Sequence, residues 1–518
     1  MCYNFSKMED IMSTTVGIID LGSNSIRLTL MQTGADGSYK LLDEIKETAR
    51  IGENMGPERV IKPPAVERAV RTVRLLHRFS RANNVDTMFG VATAAVRSAV
   101  NGVQVLETIK NETGLSFRIL SGREEARYAY LGVANTLDIK DGLVVDIGGG
   151  STELILCRDR KMVCWASLPY GAVNLTENHL SAPGSGTGGL ERLESCLCSA
   201  WRELSWLESA RGLELLGVGG TMRSLGRIDR KQINYSLNIL HGYFLPSGRV
   251  NAICGLLRDM PVEQRKHIPG LSKERADIIL AGAAAVSALL AFTGSPGIRI
   301  SGSGVREGVF FEHFHGGGPG PVVDDVAGQS VQNFMSLYRV RRQHALQVAK
   351  LSLSLFDQLV SIHGYGSWER RLLGFAALLH DTGNVVSNFA HNKHTLYILL
   401  NARLDGLSHR ETVLVALIAA CHGKIELKPL LQQYGDILEP GDDILVRRLG
   451  ILVKMAENLD RSESGVVEEL VCSIGEKEVL MKCKTRDDAG LEIRELYKNV
   501  TNFNKVYGKR FRFPKEDV

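Results

Sequence analysis

The chain has 518 residues with 62 Lys and Arg against 58 Asp and Glu, for a net charge of +4. That length exceeds one core, because single cores stop growing near ~250–300 residues, and the charge is too balanced to imply nucleic-acid binding. Glycine is plentiful at 53 residues and proline scarce at 14, which excludes collagen-like or disordered composition and points to ordered turns where the backbone turns sharply or approaches something closely.

Residues 1–15 are polar and lack the apolar stretch of a secretory signal, and Met8 and Met12 would permit a later start. Residues 16–30, VGIIDLGSNSIRLTL, are echoed by residues 143–156, LVVDIGGGSTELIL. Aligning Asp20 with Asp146 places Gly22 on Gly148, Ser25 on Ser151 and Leu28 on Leu154. Each copy reads as an apolar strand, a tight turn and an alternating strand, a β-hairpin with hydroxyls at its tip. The repeat predicts two similar lobes, 16–138 and 139–313.

Within the first lobe, Val66 to Asn83 has helical period and Met88 to Thr93 reads as a strand. The second continues through WASLPYGAVNLTE, a Gly/Ser loop at 181–189, a helix from Leu190 to Ser209 and the strand-turn LELLGVGGT. Ile278 to Gly297 carries no charge, but it is Ala-rich, ends in TGSPG and is too short in helix for the ~20 residues of a membrane span. It reads as a buried core helix, and no membrane association is expected. A linker, 314–325, holds HGGGPGP. Beyond it, Gln329–Val360, Trp368–Leu379, Lys393–Arg403, Ser408–Cys421 and Asp443–Asp460 read as amphipathic helices of a domain spanning 326–465. Residues 466–518 alternate again and read as a small α/β subdomain. Nine cysteines without a framework suggest reduced thiols and a cytoplasmic protein.

Phosphate oxygens are bound well by clustered backbone amides, which requires backbone unshielded by Cβ. DLGSN, DIGGGST, GVGGT (Gly217 to Thr221) and SGSGVREG (Ser301 to Gly308) each supply such a turn after an apolar strand, and none fits a P-loop or a dinucleotide fingerprint. Asp20 and Asp146 are candidates for a divalent cation, since Mg²⁺ favours one or two carboxylates plus phosphate oxygens, or are caps of their turns. Glu153 on the outgoing strand and the Glu124-Glu125 pair could position a water, although acids at a helix start also suit the dipole. Arg27 and Arg97 are candidate phosphate clamps or surface ion pairs.

DLGSNSIRL, ATAAVRSAVN, SGREEA, VVDIGGGSTEL and GVGGT, in that order, resemble the exopolyphosphatase / guanosine pentaphosphate phosphohydrolase family, over about residues 15–312. The resemblance implies duplicated α/β domains of the actin-like ATPase (ribonuclease H-like) type, then an all-α HD-type domain and the small terminal α/β subdomain. It implies Mg²⁺-dependent water attack on a terminal phosphoryl group of polyphosphate or pppGpp, with a homodimer as the family-level expectation and no nucleic-acid partner expected. Glu125 then matches the catalytic base and Glu153 the second essential carboxylate, holding Mg²⁺ with Asp146. Asp20, Gly22, Ser23, Asn24, Ser25 and Arg27 match the first phosphate hairpin. Asp146, Gly148, Gly149, Gly150, Ser151 and Thr152 match the second, Gly219, Gly220 and Thr221 a further phosphate turn, and Arg97 a phosphate-binding arginine. Asn174 stands where many members carry arginine.

Histidines concentrate in the helical half. Imidazole and carboxylate from separate helices suit Mn, Fe or Zn, and the order resembles HD phosphohydrolases, with His344, His380, Asp381 and Asp460 as the ligand set and His394 and His422 as weaker additional ligands. His363, His391 and His409 are expected to face solvent. Arg341, Arg342, Arg447, Arg448 and Lys454 are candidates to extend a phosphate channel. The competing readings are an enzyme whose main chemistry lies at the histidine site, and an alarmone sensor without turnover.

Overall fold

Apolar alternation around the first Asp-x-Gly turn builds β1 (Ser13–Leu21) and β2 (Ile26–Gly34), an antiparallel hairpin that sets Asp20 opposite Arg27. β3 (Tyr39–Glu47) extends the meander. The chain then runs through α1 (Pro63–Ala82) to β4 (Thr87–Ala92), parallel to β1, and through α2 (Ala94–Ser98) and α3 (Gly102–Thr113) to β5 (Arg118–Ile119). Proline at its start suits α1, where the missing amide costs nothing, and Ala65, Ala69, Val73 and Leu76 form its buried face. In this computed structural model residues 13–180, 186–316 and 322–513 are described. The first 12 residues, part of the Gly/Ser loop, most of the HGGGPGP linker and the last five residues therefore lie outside the described residues.

After α4 (Gly122–Ala134) the pattern repeats. β6 (Gly142–Ile147), β7 (Thr152–Arg158) and β8 (Lys161–Leu168) form the antiparallel meander, with Asp146 opposite Glu153. α5 (Ala172–His179) and α6 (Gly186–Arg202) lead to β9 (Leu215–Val218), parallel to β6. Then α7 (Gly219–Gln232), β10 (Phe244–Pro246), α8 (Ser247–Arg258), α9 (Val262–Arg265) and α10 (Ile279–Thr293) precede β11 (Gly297–Ile300), parallel to β9. The sheet orders are β3-β2-β1-β4-β5 and β8-β7-β6-β9-β11-β10. Read from the meander outward they coincide, with β10 an added antiparallel edge. This is the duplicated actin-like architecture that the motif resemblance implied. The Ala-rich α10 is apolar on all sides because it lies inside the second lobe's core with Leu193, Leu197 and Leu225. No helix among the described residues is long and apolar enough to cross a membrane.

The lobes exchange helices at their junction. α4, at the end of the first lobe, packs on β6 to β9 of the second sheet, while α11 (Val305–Phe314), at the end of the second, packs on β1. One apolar cluster joins both sheets through these helices, including Val16, Ile18, Val144, Leu216 and Phe310. The two helices cross so closely that a Cβ on Gly308 would stand 2.0 Å from the Tyr128 carbonyl oxygen.

A second unit comprises Ser236–Ile239 with Ala327–Val518. Its helices are α12 (Val326–Leu337), α13 (Arg342–Gln358), α14 (Val360–His363), α15 (Ser367–Leu379), α16 (His391–Asn401), α17 (His409–Ala420), α18 (Leu427–Gln433) and α19 (Asp442–Asn458). They are followed by β12 (Val467–Ile474), β13 (Glu478–Thr485), α20 (Gly490–Tyr497), α21 (Val500–Tyr507) and β14 (Arg510–Arg512), whose strands form one sheet in the order β12-β13-β14. The single helix expected from Gln329 to Val360 is broken between α12 and α13, where Arg339 takes φ +51°. Two histidines expected to face solvent are buried. His363 accepts from the Tyr365 amide at 3.0 Å and donates to the Phe356 carbonyl at 2.9 Å, so both ring nitrogens are satisfied internally. His409 opens the almost wholly buried α17.

The helix crossing has a measurable consequence. Gly308→Ala should overpack α4 against α11 and lower stability by about 1–3 kcal/mol, read as a lower denaturant midpoint for the first unit. An unchanged midpoint would mean that the crossing relaxes without cost.

Candidate active site

The hairpin turns share one construction. Gly22 donates to the Ser25 carbonyl at 3.2 Å, and Gly148 to that of Ser151 at 2.9 Å. Behind the first turn, the Ser23 and Asn24 carbonyls accept from the amides of Gly52 and Arg50 at 2.9 and 3.0 Å. Behind the second, the Gly148 and Gly149 carbonyls accept from Ala172 and Val173 at the start of α5, each at 2.9 Å. The carbonyl oxygens, which would repel a phosphate, are thus occupied. The turns also approach each other closely: a Cβ on Gly149 would lie 2.9 Å from Ser23 Cβ. Between them is a cavity of about 120 Å³. The residues assigned to the first hairpin line it, as do Asp146 and Gly148 to Ser151, Gly219 and Gly220, the start of α11, and Glu125.

The two acids at the start of α4 have separate tasks. Ser121 Oγ accepts from the Glu124 amide at 3.2 Å, and Glu124 Oε2 accepts from the Ser121 amide at 2.8 Å, a reciprocal cap that satisfies the helix start. Glu124 is spent there and on Arg118. Glu125 instead reaches the cavity, with Arg97 Nη1 2.6 Å from its Oε2. Burial pushes Glu125 up to about 7 against the pull of Arg97. Burial likewise raises Asp146 to about 6. Glu153 is buried and accepts from Ser167 Oγ at 2.8 Å. Burial, then the nearby Glu125 and Asp146 charges, holds it well above the usual carboxylate range. Burial also raises Asp20, whose Oδ1 has no hydrogen-bond partner.

Three cavity arginines escaped the sequence reading. Arg223 on α7, Arg275 before α10 and Arg306 on α11 join Arg27. Arg306 donates to Thr29 Oγ1 at 2.6 Å and pairs with Glu44 at 2.8 Å, while Arg275 donates to Thr221 Oγ1 at 3.1 Å. The glycines around Arg306 in SGSGVREG had drawn notice, but Arg223 and Arg275 sit in no local pattern. A neighbouring cavity of about 510 Å³ shares Arg27, Arg223 and Arg275 and adds Lys46 and Arg227. Burial, then mutual repulsion among the cations, lowers Arg27 to about 9, Lys46 to about 8 and Arg275 to about 10. Such a group favours an anion.

Other assigned residues stand behind this surface. Thr152 donates its hydroxyl to the Tyr170 carbonyl, and Thr221 is buried beneath Arg275. Asn174, the departure from the family arginine, braces the second turn: its Oδ1 accepts from Gly171 N at 2.7 Å and its Nδ2 donates to the Gly150 and Pro169 carbonyls at 3.1 and 2.9 Å.

In the second unit, Asp381 is the hub of the histidine set. His344, His380 and Asp381 form one group able to hold a metal ion, and Asp381, His391 and His422 another, with ligand atoms within 4.8 Å in each. His391 thus belongs to the cluster instead of facing solvent, because its Nε2 lies 3.4 Å from Asp381 Oδ1. His394 falls in neither group, and Asp460 serves behind His344, its Oδ2 2.7 Å from His344 Nδ1 and its Oδ1 accepting from Gly465 N at 2.8 Å. Arg341 is 2.9 Å from Asp381 and also pairs with Glu463, and Arg448 lies over Tyr365 and Tyr507.

A sequence model of the Ppx/GppA phosphatase family matches residues 31–316, and a model of Ppx/GppA phosphatase, domain III, matches residues 326–498. Among solved structures, an exopolyphosphatase from Cytophaga hutchinsonii aligns with a TM-score of 0.54 and 23% identity, covering 58% of this chain and 98% of its own. That likeness is one of fold. A Ppx/GppA family member from Aquifex aeolicus aligns with a TM-score of 0.49 and 28% identity over 57% of this chain and 96% of its own.

The brace under the second turn can be tested directly. Asn174→Ala removes three hydrogen bonds and should cost about 1–2 kcal/mol, measured as a lower unfolding midpoint. No change would show that water replaces the amide without loss.

Proposed function

Because the chain belongs to the Ppx/GppA phosphatase family, whose members are phosphoanhydride hydrolases, we propose that it removes the terminal phosphate of a linear phosphate chain, inorganic polyphosphate or pppGpp. The observation that carries this reading is the convergence of two amide-rich turns and Glu125 on one small cavity. The turns and cavity guanidiniums would bind the terminal phosphoryl group, and the adjoining basic cavity would take the phosphates that follow. Arginine suits this role because its planar fork matches phosphate oxygens.

Glu125 would accept the proton of the attacking water. Its raised affinity for a proton suits a base working near neutral pH, and Arg97 fixes its orientation. Glu153, held by Ser167, is too buried to reach the cavity surface and would support it from behind, opposite Asp146 on the hairpin. A Mg²⁺ ion fits the donors present, since Asp20 and Asp146 are half-buried carboxylates that both line the cavity and have raised proton affinity, and Asp20 Oδ1 lacks a partner. Bound there, Mg²⁺ would neutralise charge on the phosphoryl oxygens. Catalysis would otherwise rest on positioning and preorganised charge.

Phosphate release from polyphosphate and from pppGpp should fall by at least ~100-fold in Glu125→Gln and in Glu153→Gln, with both variants folded by circular dichroism. Undiminished release in both would overturn the assignment. The pH profile adds a second check. The base works only when deprotonated, so activity should rise with pH through the Glu125 transition near about 7. Arg97 lowers that transition, and Arg97→Gln should move the acid limb up by about one pH unit or more. A limb that stays or moves down would remove Arg97 from this role.

A further inference from the structure

Residues 49–54 connect the first lobe to the second, and Arg50 is the centre of that connection. Its backbone is pinned on both sides. The amide donates to the Asn24 carbonyl at 3.0 Å, behind the first phosphate turn, and the carbonyl accepts from Arg68 on α1 at 3.2 Å. Between those bonds Arg50 takes φ +46°, a left-handed conformation that glycine adopts freely and arginine does not. A long side chain retained there against that preference points to a task for it.

The task lies in the second lobe. Arg50 Nη1 donates to Asp277 Oδ2 at 2.7 Å, and Nη2 to the Glu274 carbonyl at 3.2 Å. Nη1 also lies 3.4 Å from Glu53 in its own loop. The two acceptors in the second lobe flank Arg275, the buried residue whose guanidinium lines both the cavity between the turns and the adjoining basic one. Arg275 in turn lies against the GVGGT turn: it donates to Thr221 Oγ1 at 3.1 Å, and a Cβ on Gly220 would collide with its guanidinium. Arg50 thus reaches the first phosphate turn through its backbone and the Arg275 segment through its side chain. An isolated ion pair at this exposure would contribute little. Here the planar fork takes a carboxylate and a carbonyl at once, with a cavity arginine between the two anchors. The Asn54 amide, which donates to Glu177 Oε1 on α5 at 3.1 Å, gives the loop another hold on the second lobe.

We propose that Arg50 is a positioning residue of the phosphate site: it clasps the Arg275 segment to the first phosphate turn and so fixes the guanidinium that grips the phosphates behind the scissile one. This assignment rests on the proposed function. Arg50 is not among the residues lining either cavity, so it acts through Arg275 and not on the substrate. A trailing phosphate is held alike before and during bond breaking, so loss of the clasp falls on KM and spares kcat.

Kinetics on polyphosphate test the clasp. Arg50→Gly suits the left-handed backbone and removes only the side chain. Its thermal midpoint should hold within about 2 °C, while KM rises about tenfold and kcat stays within about threefold. Asp277→Asn reaches the same clasp from the other lobe, leaves residue 50 untouched and should also raise KM. Arg50→Lys keeps the charge and should recover part of the loss. In an Arg275→Gln background, Arg50→Gly should raise KM by no more than about twofold further, because the two residues act as one unit. KM unchanged in both Arg50→Gly and Asp277→Asn would overturn the clasp, and so would the full rise persisting in the Arg275→Gln background. Phosphate release by the wild type tests the proposed function separately. If the wild type released none, calorimetric titration with tripolyphosphate would still decide Arg50: a Kd about tenfold weaker in Arg50→Gly upholds the clasp, and an equal Kd overturns it.

Discussion

The first unit depends on burying charge of both signs where two copies of one hairpin meet. Asp20, Asp146 and Glu125 line one cavity with Arg27, Arg223, Arg275 and Arg306, with Glu153 behind Asp146; Glu125, Glu153, Arg275 and Arg306 are buried and the others half-buried. Each ion taken from water costs several kcal/mol unless it is paired and hydrogen-bonded. The two sets do not simply neutralise each other. Arg306 is held by Thr29 and Glu44, Arg275 by Thr221, and Arg223 by the Gly302 carbonyl at 3.3 Å. Burial raises Asp20 and Asp146 and lowers Arg27 and Arg275, while against burial Arg306 is held up by its acidic neighbours Glu307 and Glu44. Under the proposed function, a phosphate with its counter-cation would bring both signs of charge to the cavity at once.

The duplication explains how one lobe came to offer carboxylate where the other offers guanidinium. Asp20 pairs with Arg27 across the first hairpin, and Asp146 with Glu153 across the second, at the same spacing and register. The conserved geometry is the strand, the turn and the leading aspartate. The position opposite that aspartate carries opposite charges in the two copies. A symmetrical pair of arginines would leave no fixed charge behind the cavity, and a symmetrical pair of glutamates would repel the anion.

What could be read from the sequence follows how local each feature is. The hairpins were legible because strand alternation and Asp-x-Gly turns are contiguous, and Glu124-Glu125 were legible as acids at a helix start. That spacing left Glu124 and Glu125 equivalent, and only the fold separates the capping acid from the one facing the cavity. Arg223, Arg275 and Arg306 come from three elements far apart in the chain and share no period. The packing of α11 on the first sheet is likewise a long-range event, fixed by Val305, Val309 and Phe310 meeting Val16 and Ile18. The break after α12 has no proline or glycine to announce it. It rests on one left-handed residue, Arg339, an uncommon conformation for a side chain of that kind.

The histidine set shows a further reason for the limits of spacing. The last turn of a helix leaves carbonyls without a helical partner. Ala377 stands in the last turn of α15 and Ala419 in the last turn of α17. In each case the histidine three residues later folds back to donate Nδ1–H to that carbonyl. His391 does the same to Asn388 in the turn leading into α16. One hydrogen bond thereby does two things: it anchors the ring to the backbone and turns the opposite nitrogen toward Asp381. His394, one helical turn beyond His391, is past the entry of α16 and has no such carbonyl to anchor it. The difference between these two residues lies in where a helix begins, which a list of histidines cannot show, and it determines which imidazole meets Asp381.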